Sequence, residues 1–166
     1  GKAKKINNYI VLTNQLRMHA GQEMLNWIDG FTKEKKILPL PKPTANYTIQ
    51  VFSSPEELDK EICKLAQKEE SSLSRLIATY DWEYNAKSQP ETRSSKYWEV
   101  LINGWRKPWN RELESELSPM QKRHNKKLAW AEQAQTIKEV GSTFTIQGFD
   151  LNYAGVILGP SVKFRN

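Results

Sequence analysis

Two stretches of this chain gather residue types that could hold a polyanion. In the first, Thr145-Ile146-Gln147-Gly148-Phe149-Asp150 lies between two apolar segments, Val140-Gly141 before it and Tyr153-Ala154-Gly155-Val156-Ile157-Leu158 after it. A strand, a glycine-bearing loop and a second strand place such a turn at a sheet edge, where α/β proteins bind nucleotides. Gly148 lets a backbone approach a phosphate without a Cβ in the way, and Thr145 offers a hydroxyl donor. The alternative for these residues is ordinary turn chemistry. In the second stretch, Trp105 and Trp109 bracket Arg106 and Lys107. Bases stack on aromatic faces for about 1–3 kcal/mol each, so mixed aromatic and basic side chains suit a nucleic-acid strand. Tryptophan is more often a core residue, and that reading stands beside the first.

Other chemistries are missing from the sequence. It contains no Gly-x-x-x-x-Gly-Lys-Ser/Thr phosphate loop and no Gly-x-Gly-x-x-Gly. No serine sits in a Gly-x-Ser-x-Gly elbow. His19 and His124 lack the spacing of a zinc site, and no metal ligands are assigned. Cys63 is the only cysteine, which excludes an intramolecular disulfide and fits a reducing compartment.

The elements that must position these residues follow from local patterns. Asn8 to Leu16 reads as a strand running into Arg17, followed by a helix whose Met24, Trp27, Ile28 and Phe31 recur at helical spacing. Residues 34–46, with Pro39, Pro41 and Pro43, form a loop, and Tyr47 to Phe52 alternates as a strand. Ser54-Pro55-Glu56-Glu57 is a helix start with a serine cap, proline at the first position and a capping-box glutamate. Leu58, Ile62, Leu65 and Ala66 give that helix its apolar face, and Leu73 to Tyr80 is the next strand. Strand, helix and strand in that order imply a parallel sheet with a crossover.

From 81 to 139 the pattern weakens into an expected insertion between sheet strands. Trp82, Trp98, Trp105 and Trp109 crowd it, with Trp130 further on. Asn103-Gly104 marks a tight hairpin turn after Trp98 to Ile102. Residues 119–135 read as a polar helix carrying Lys122, Arg123, Lys126 and Lys127, either a solvated face or phosphate contacts. The chain as a whole, 1–166, is expected to be a single domain of the α/β class.

At 166 residues, with a net charge of +6, the chain suits a nucleic-acid partner without requiring one. No apolar run approaches the roughly 20 residues of a membrane span, and Gly1-Lys2-Ala3-Lys4-Lys5 lacks the apolar core of a signal peptide. A soluble, cytoplasmic piece of a longer protein is expected, because the chain opens on Gly1.

The turn at Thr145 to Asp150 and the strand after it resemble motif V of superfamily 1 helicases. Val140-Gly141 through Gly159-Pro160 resembles the Schlafen-group-3-like DNA/RNA helicase domain. Leu12-Thr13-Asn14-Gln15-Leu16-Arg17 resembles motif IV, and Leu101 to Trp105 through Trp109-Asn110 resembles that family's aromatic insert. The resemblance implies a RecA-like parallel sheet flanked by helices, forming the second motor domain of an ATP-dependent helicase or translocase.

The same resemblance assigns roles. Arg17 would reach the γ-phosphate, where a guanidinium neutralises developing charge; the alternative is a surface arginine. Gln147, Gly148 and Asp150 would contact ATP, Asp150 through the ribose, unless Asp150 merely caps the following turn. Thr145, Trp105, Arg106 and Trp109 would contact DNA or RNA. ATP and Mg2+ would be held mainly by a first RecA-like domain not contained in residues 1–166, whose own phosphate loop this sequence lacks. Two rival readings remain: a non-catalytic nucleic-acid-binding module, or a protein-interaction domain with Trp105 and Trp109 as its hot spot.

Overall fold

A computed structural model of the chain describes residues 21–68, 73–90, 95–148 and 150–163. The expected first strand and Arg17 lie outside the described residues. The chain divides into two compact units, residues 1–51 and 52–166.

In the first unit, helix α1 spans Gln22–Thr32. Its apolar positions fall on one face, as the spacing of Met24, Trp27, Ile28 and Phe31 requires. Met24 is buried, and the rings of Trp27 and Phe31 stack 5.8 Å apart. The proline-rich segment folds back along the helix, where the carbonyl of Leu38 accepts from the Trp27 indole at 2.9 Å. The strand expected at 47–52 does not form among the described residues, and Val51 is exposed. Alternation supplies a face, but a strand also needs a ladder partner, and this segment has none there.

The second unit begins with helix α2, Pro55–Lys68. Ser54 caps it by accepting the Glu57 backbone N–H at 3.2 Å, while the Glu57 carboxylate accepts from Ser53 at 2.8 Å. Strand β1, Ser74–Ala78, is the centre of a three-stranded parallel sheet ordered β4-β1-β5, with β4 at Val140–Ser142 and β5 at Tyr153–Ile157. Leu76 pairs with both Val140 and Gly155. Both parallel neighbours of β1 thus come from the C-terminal part of the chain, and not from the segment before α2. A Cβ added to Gly155 would stand 2.7 Å from Ile62 and from Leu76, so the glycine lets α2 settle against the sheet. The observed class is α/β, a parallel sheet flanked by helices.

Between β1 and β4 runs the aromatic-rich segment. Strands β2, Glu99–Ile102, and β3, Trp105–Pro108, form an antiparallel hairpin around Asn103 and Gly104, both at positive φ. Directly after β3, Trp109 bridges in parallel to Val140, which ties the hairpin to the edge of the sheet. The core joins Ile62, Leu76, Val140 and Ile157 to Trp98, Val100 and Trp109. The helix expected over 119–135 is shorter. Helix α3 stops at Pro119–Asn125, and 3-10 turns follow at Trp130–Glu132 and Ala134–Lys138. Trp130 ends the helical path because it is buried beside Gly141, and its indole donates to the buried Glu139 carboxylate at 2.7 Å.

Candidate functional site

Parallel strands end on the same side of a sheet, so the residues after β1, β4 and β5 share one edge. After β4 the chain folds onto its own last residue. Ser142 donates its backbone N–H to the Thr145 hydroxyl at 2.8 Å, and its carbonyl accepts the Thr145 N–H at 3.0 Å and the Thr145 hydroxyl at 2.9 Å. The Ser142 hydroxyl donates to Asn110 at 2.8 Å and accepts the Phe144 N–H at 3.3 Å. This tight turn buries Thr145 and leaves Phe144 68% exposed.

Tyr80 follows β1 at the same offset, two residues past Ala78, the partner of Ser142 in the ladder. The rings of Tyr80 and Phe144 meet edge-on with centroids 5.5 Å apart. Behind them, Tyr80 lies 5.0 Å from Trp109. On the β5 side, the Asp81 carboxylate accepts from Thr79, from the Ser161 backbone at 2.7 Å and from the Ser161 hydroxyl at 3.0 Å. These hydrogen bonds hold the Asp81 carboxyl below the usual carboxylate range, the Thr79 bond being the largest cause. The segment after β5 is pinned closely there: a Cβ on Gly159 would stand 2.5 Å from Asp81.

The expected site residues divide into two groups. Gln147, Gly148 and Asp150 are exposed on the crossover from β4 to β5. Gly148 has φ +91° and open space around it, so glycine is required there by backbone conformation and not by crowding. The strand-contacting set fares differently. Trp109 is fully buried, its indole donating to the Glu83 carbonyl at 3.2 Å, so its faces belong to the core and not to a base. Trp105 is half-buried against the same core, with its indole 3.4 Å from Asp59. Arg106 is exposed and ion-paired with Glu99 at 3.6 Å. The Thr145 hydroxyl has one proton and gives it to Ser142, so in this arrangement it does not donate to a phosphate.

Sequence reasoning passed over Tyr80, Asp81, Ser142 and Phe144. A signal existed for the aromatic pair: each stands two residues past the end of a strand in a parallel ladder. It becomes readable only once β1 and β4 are known to be neighbours.

A family model, that of the Schlafen group 3, DNA/RNA helicase domain, matches residues 2–166. The chain belongs to this family. The uncharacterized protein YPL245W of Saccharomyces cerevisiae is 31% identical over 172 residues, an alignment covering 96% of this chain and 34% of that protein. This Schlafen group 3 domain therefore spans about a third of the length of the curated relative it matches. No solved structure matches it.

Whether the edge fits ATP and Mg2+ depends on its free groups. Away from that edge, exposed Asp150 offers its carboxylate two residues before Asn152, whose side chain accepts the Leu73 N–H at 2.9 Å at the opposite end of β1, and a Cβ on Gly148 would meet nothing within 4 Å. The Asp81 oxygens already accept three hydrogen bonds, and no cluster of three metal-binding side chains occurs among the described residues. No helix among the described residues is long and apolar enough to cross a membrane.

Proposed function

We propose that this domain is the second motor domain of an ATP-driven helicase-like or translocase enzyme. It completes an ATP site held mainly by a companion RecA-like domain, and it contacts DNA or RNA. The supporting observation is the exposed Gln147–Gly148–Asp150 crossover of a parallel sheet in a chain of the helicase-domain family. The Tyr80–Phe144 pair gives the C-terminal edge of that sheet an apolar surface for the companion domain to cover. ATP supplies the transferable phosphoryl group and Mg2+ neutralises its charge. Asp150 holds the ribose, Gly148 permits close backbone approach, and Arg17 offsets charge on the γ-phosphate.

The test uses the longer protein that contains this domain. Asp150→Ala raises KM for ATP about tenfold, the loss expected for a charge-assisted hydrogen bond. Arg17→Ala lowers kcat about a thousandfold, as removal of a transition-state arginine does, with nucleotide affinity nearly unchanged. Unaltered KM in the first variant would sink the ribose contact. Equal loss of affinity and turnover in the second would make Arg17 a ground-state residue. The 166-residue chain alone is expected to turn over no ATP.

A further inference from the structure

Helix α3 differs from α1 and α2 in how it treats its charges. At the C-cap of α1, Lys33 pairs with Asp29 at 2.8 Å, and on α2, which carries four acidic residues, Lys64 pairs with Glu61 at 3.3 Å. Pro119–Asn125 contains no acidic residue, yet Lys122, Arg123, Lys126 and Lys127 follow one another within six positions, all exposed. Among the described residues none of these four side chains has an ion-pair or hydrogen-bond partner. The acidic turn Glu112–Glu116 does not serve them. Glu112 accepts from the Trp98 backbone, and Glu116 pairs with Lys96.

Lys122 and the C-cap Lys126 are four positions apart on one face, an arrangement that repels, and Arg123 and Lys127 add two more cations to the same short stretch. The helix C-terminus relieves part of that repulsion. The remainder favours an external polyanion. The platform is also held in place. Ser118 and Gln121 form a reciprocal capping box, and the Asn125 amide donates to Gln133 and Gln135 at 3.3 and 3.1 Å. On the other face of α3, Leu117, Met120, Gln121, His124 and Asn125 turn toward Ala134 and Gln135, which leaves the four cations on the outward side.

We propose that α3 and the two lysines after it form a tether for a single nucleic-acid strand, with the four cations on its phosphates. Charge complementarity selects the polyanion. A two-turn helix with Met120 as its one prominent apolar side chain offers a membrane little to insert, which favours a strand over an anionic lipid surface. This inference rests on the reading of the chain as a nucleic-acid-handling domain, but it places the tether outside the sheet edge.

The experiment compares the 166-residue chain with a variant carrying Lys122→Gln, Arg123→Gln, Lys126→Gln and Lys127→Gln. Fluorescence anisotropy reads binding to labelled oligo(dT) and oligo(rU) of about 20 nucleotides across about 50–200 mM salt. Each lost phosphate contact lowers the log–log salt slope by about 0.7, so four lower it by about 2.8, and wild-type affinity falls about 50-fold more than the variant's over that range. The two oligonucleotides distinguish DNA from RNA. Phosphatidylserine vesicles form a third arm.

Two further variants keep the test decisive if the quadruple change impairs folding. Lys122→Gln with Lys126→Gln should lose about half the slope difference, and Lys122→Arg with Lys126→Arg should keep all of it. Equal slopes and affinities for wild type and variant overturn the tether and leave the proposed function standing. Loss of vesicle binding with oligonucleotide binding intact assigns the patch to lipid and also overturns it. A wild-type chain that binds neither oligonucleotide overturns the tether and the strand-binding part of the proposed function together.

Discussion

The aromatic residues of the second unit fall into two populations that their sequence context does not separate. Trp98, Trp109 and Trp130 are buried, and each indole N–H has an acceptor: the carbonyls of Asn85 and Ser88, the carbonyl of Glu83, and the Glu139 carboxylate. Tyr80 and Phe144 stand at the C-terminal edge of the sheet, 49% and 68% exposed. Their difference teaches that aromatic richness in this domain has two uses. Trp98, Trp109 and Trp130 build an interior whose loops are stitched by their N–H groups, and Tyr80 and Phe144 form a surface that faces outward. The aromatic-basic run at 105–109 belongs mostly to the first population.

The strongest way to break this division is Trp109→Ala. Removing a fully buried indole from a core that spans hairpin and sheet should cost about 3–5 kcal/mol of unfolding free energy in a urea titration. A cost below about 1 kcal/mol would return Trp109 to the surface population.

Carboxylates on the two sides sharpen the contrast by titrating in opposite directions. Glu139 is buried, and burial pushes its carboxyl above the ordinary range despite hydrogen bonds from Trp130 and Leu113. Its contribution is full below the ordinary glutamate value and is lost as pH rises through the raised one. Asp81 is held below the ordinary range, so its contribution is full above the ordinary aspartate value and is lost as pH falls through the lowered one. Glu139→Gln should therefore gain stability relative to wild type as pH rises from acid to neutral. Asp81→Asn should lose stability relative to wild type over the same interval. Denaturation midpoints between about pH 3 and 7 decide, and slopes of the same sign for both variants would erase the distinction.

Much of the fold was legible where the signal is local. The Ser54 cap, the Asn103-Gly104 hairpin and the apolar runs that became β1, β4 and β5 each depend on a few adjacent residues. Pairing is not local, and residues 47–52 show the consequence: the alternation is present, and among the described residues no neighbouring strand pairs with it. The site was half legible for the same reason. Gly148 is a turn glycine whatever surrounds it. Whether the Thr145 hydroxyl is free depends on where the Ser142 carbonyl points, and whether Trp109 is exposed depends on a bridge to Val140, thirty-one positions away by number.

On the crossover from β4 to β5, Gly148→Ala tests the exposed turn. A Cβ there meets nothing within 4 Å, so the whole cost is the left-handed backbone at φ +91°, about 1–2 kcal/mol. A neutral result in the same urea titration would mean that the turn relaxes to another conformation without effort, which its exposed position allows only if nothing else depends on that φ.

Phe144→Ala should have the smallest effect. Its ring is 68% exposed and touches Tyr80 edge-on, a contact worth about 0.5–1.5 kcal/mol when buried and less here. The unfolding free energy should change by about 0.5 kcal/mol or less. The Ser142–Thr145 turn behind it survives, because its hydrogen bonds use the Phe144 backbone and not its ring. A loss approaching that of Trp109→Ala would show that Phe144 shields the core. A small loss leaves an apolar ring exposed at the edge with little stability depending on it, as expected of a surface that a companion domain covers.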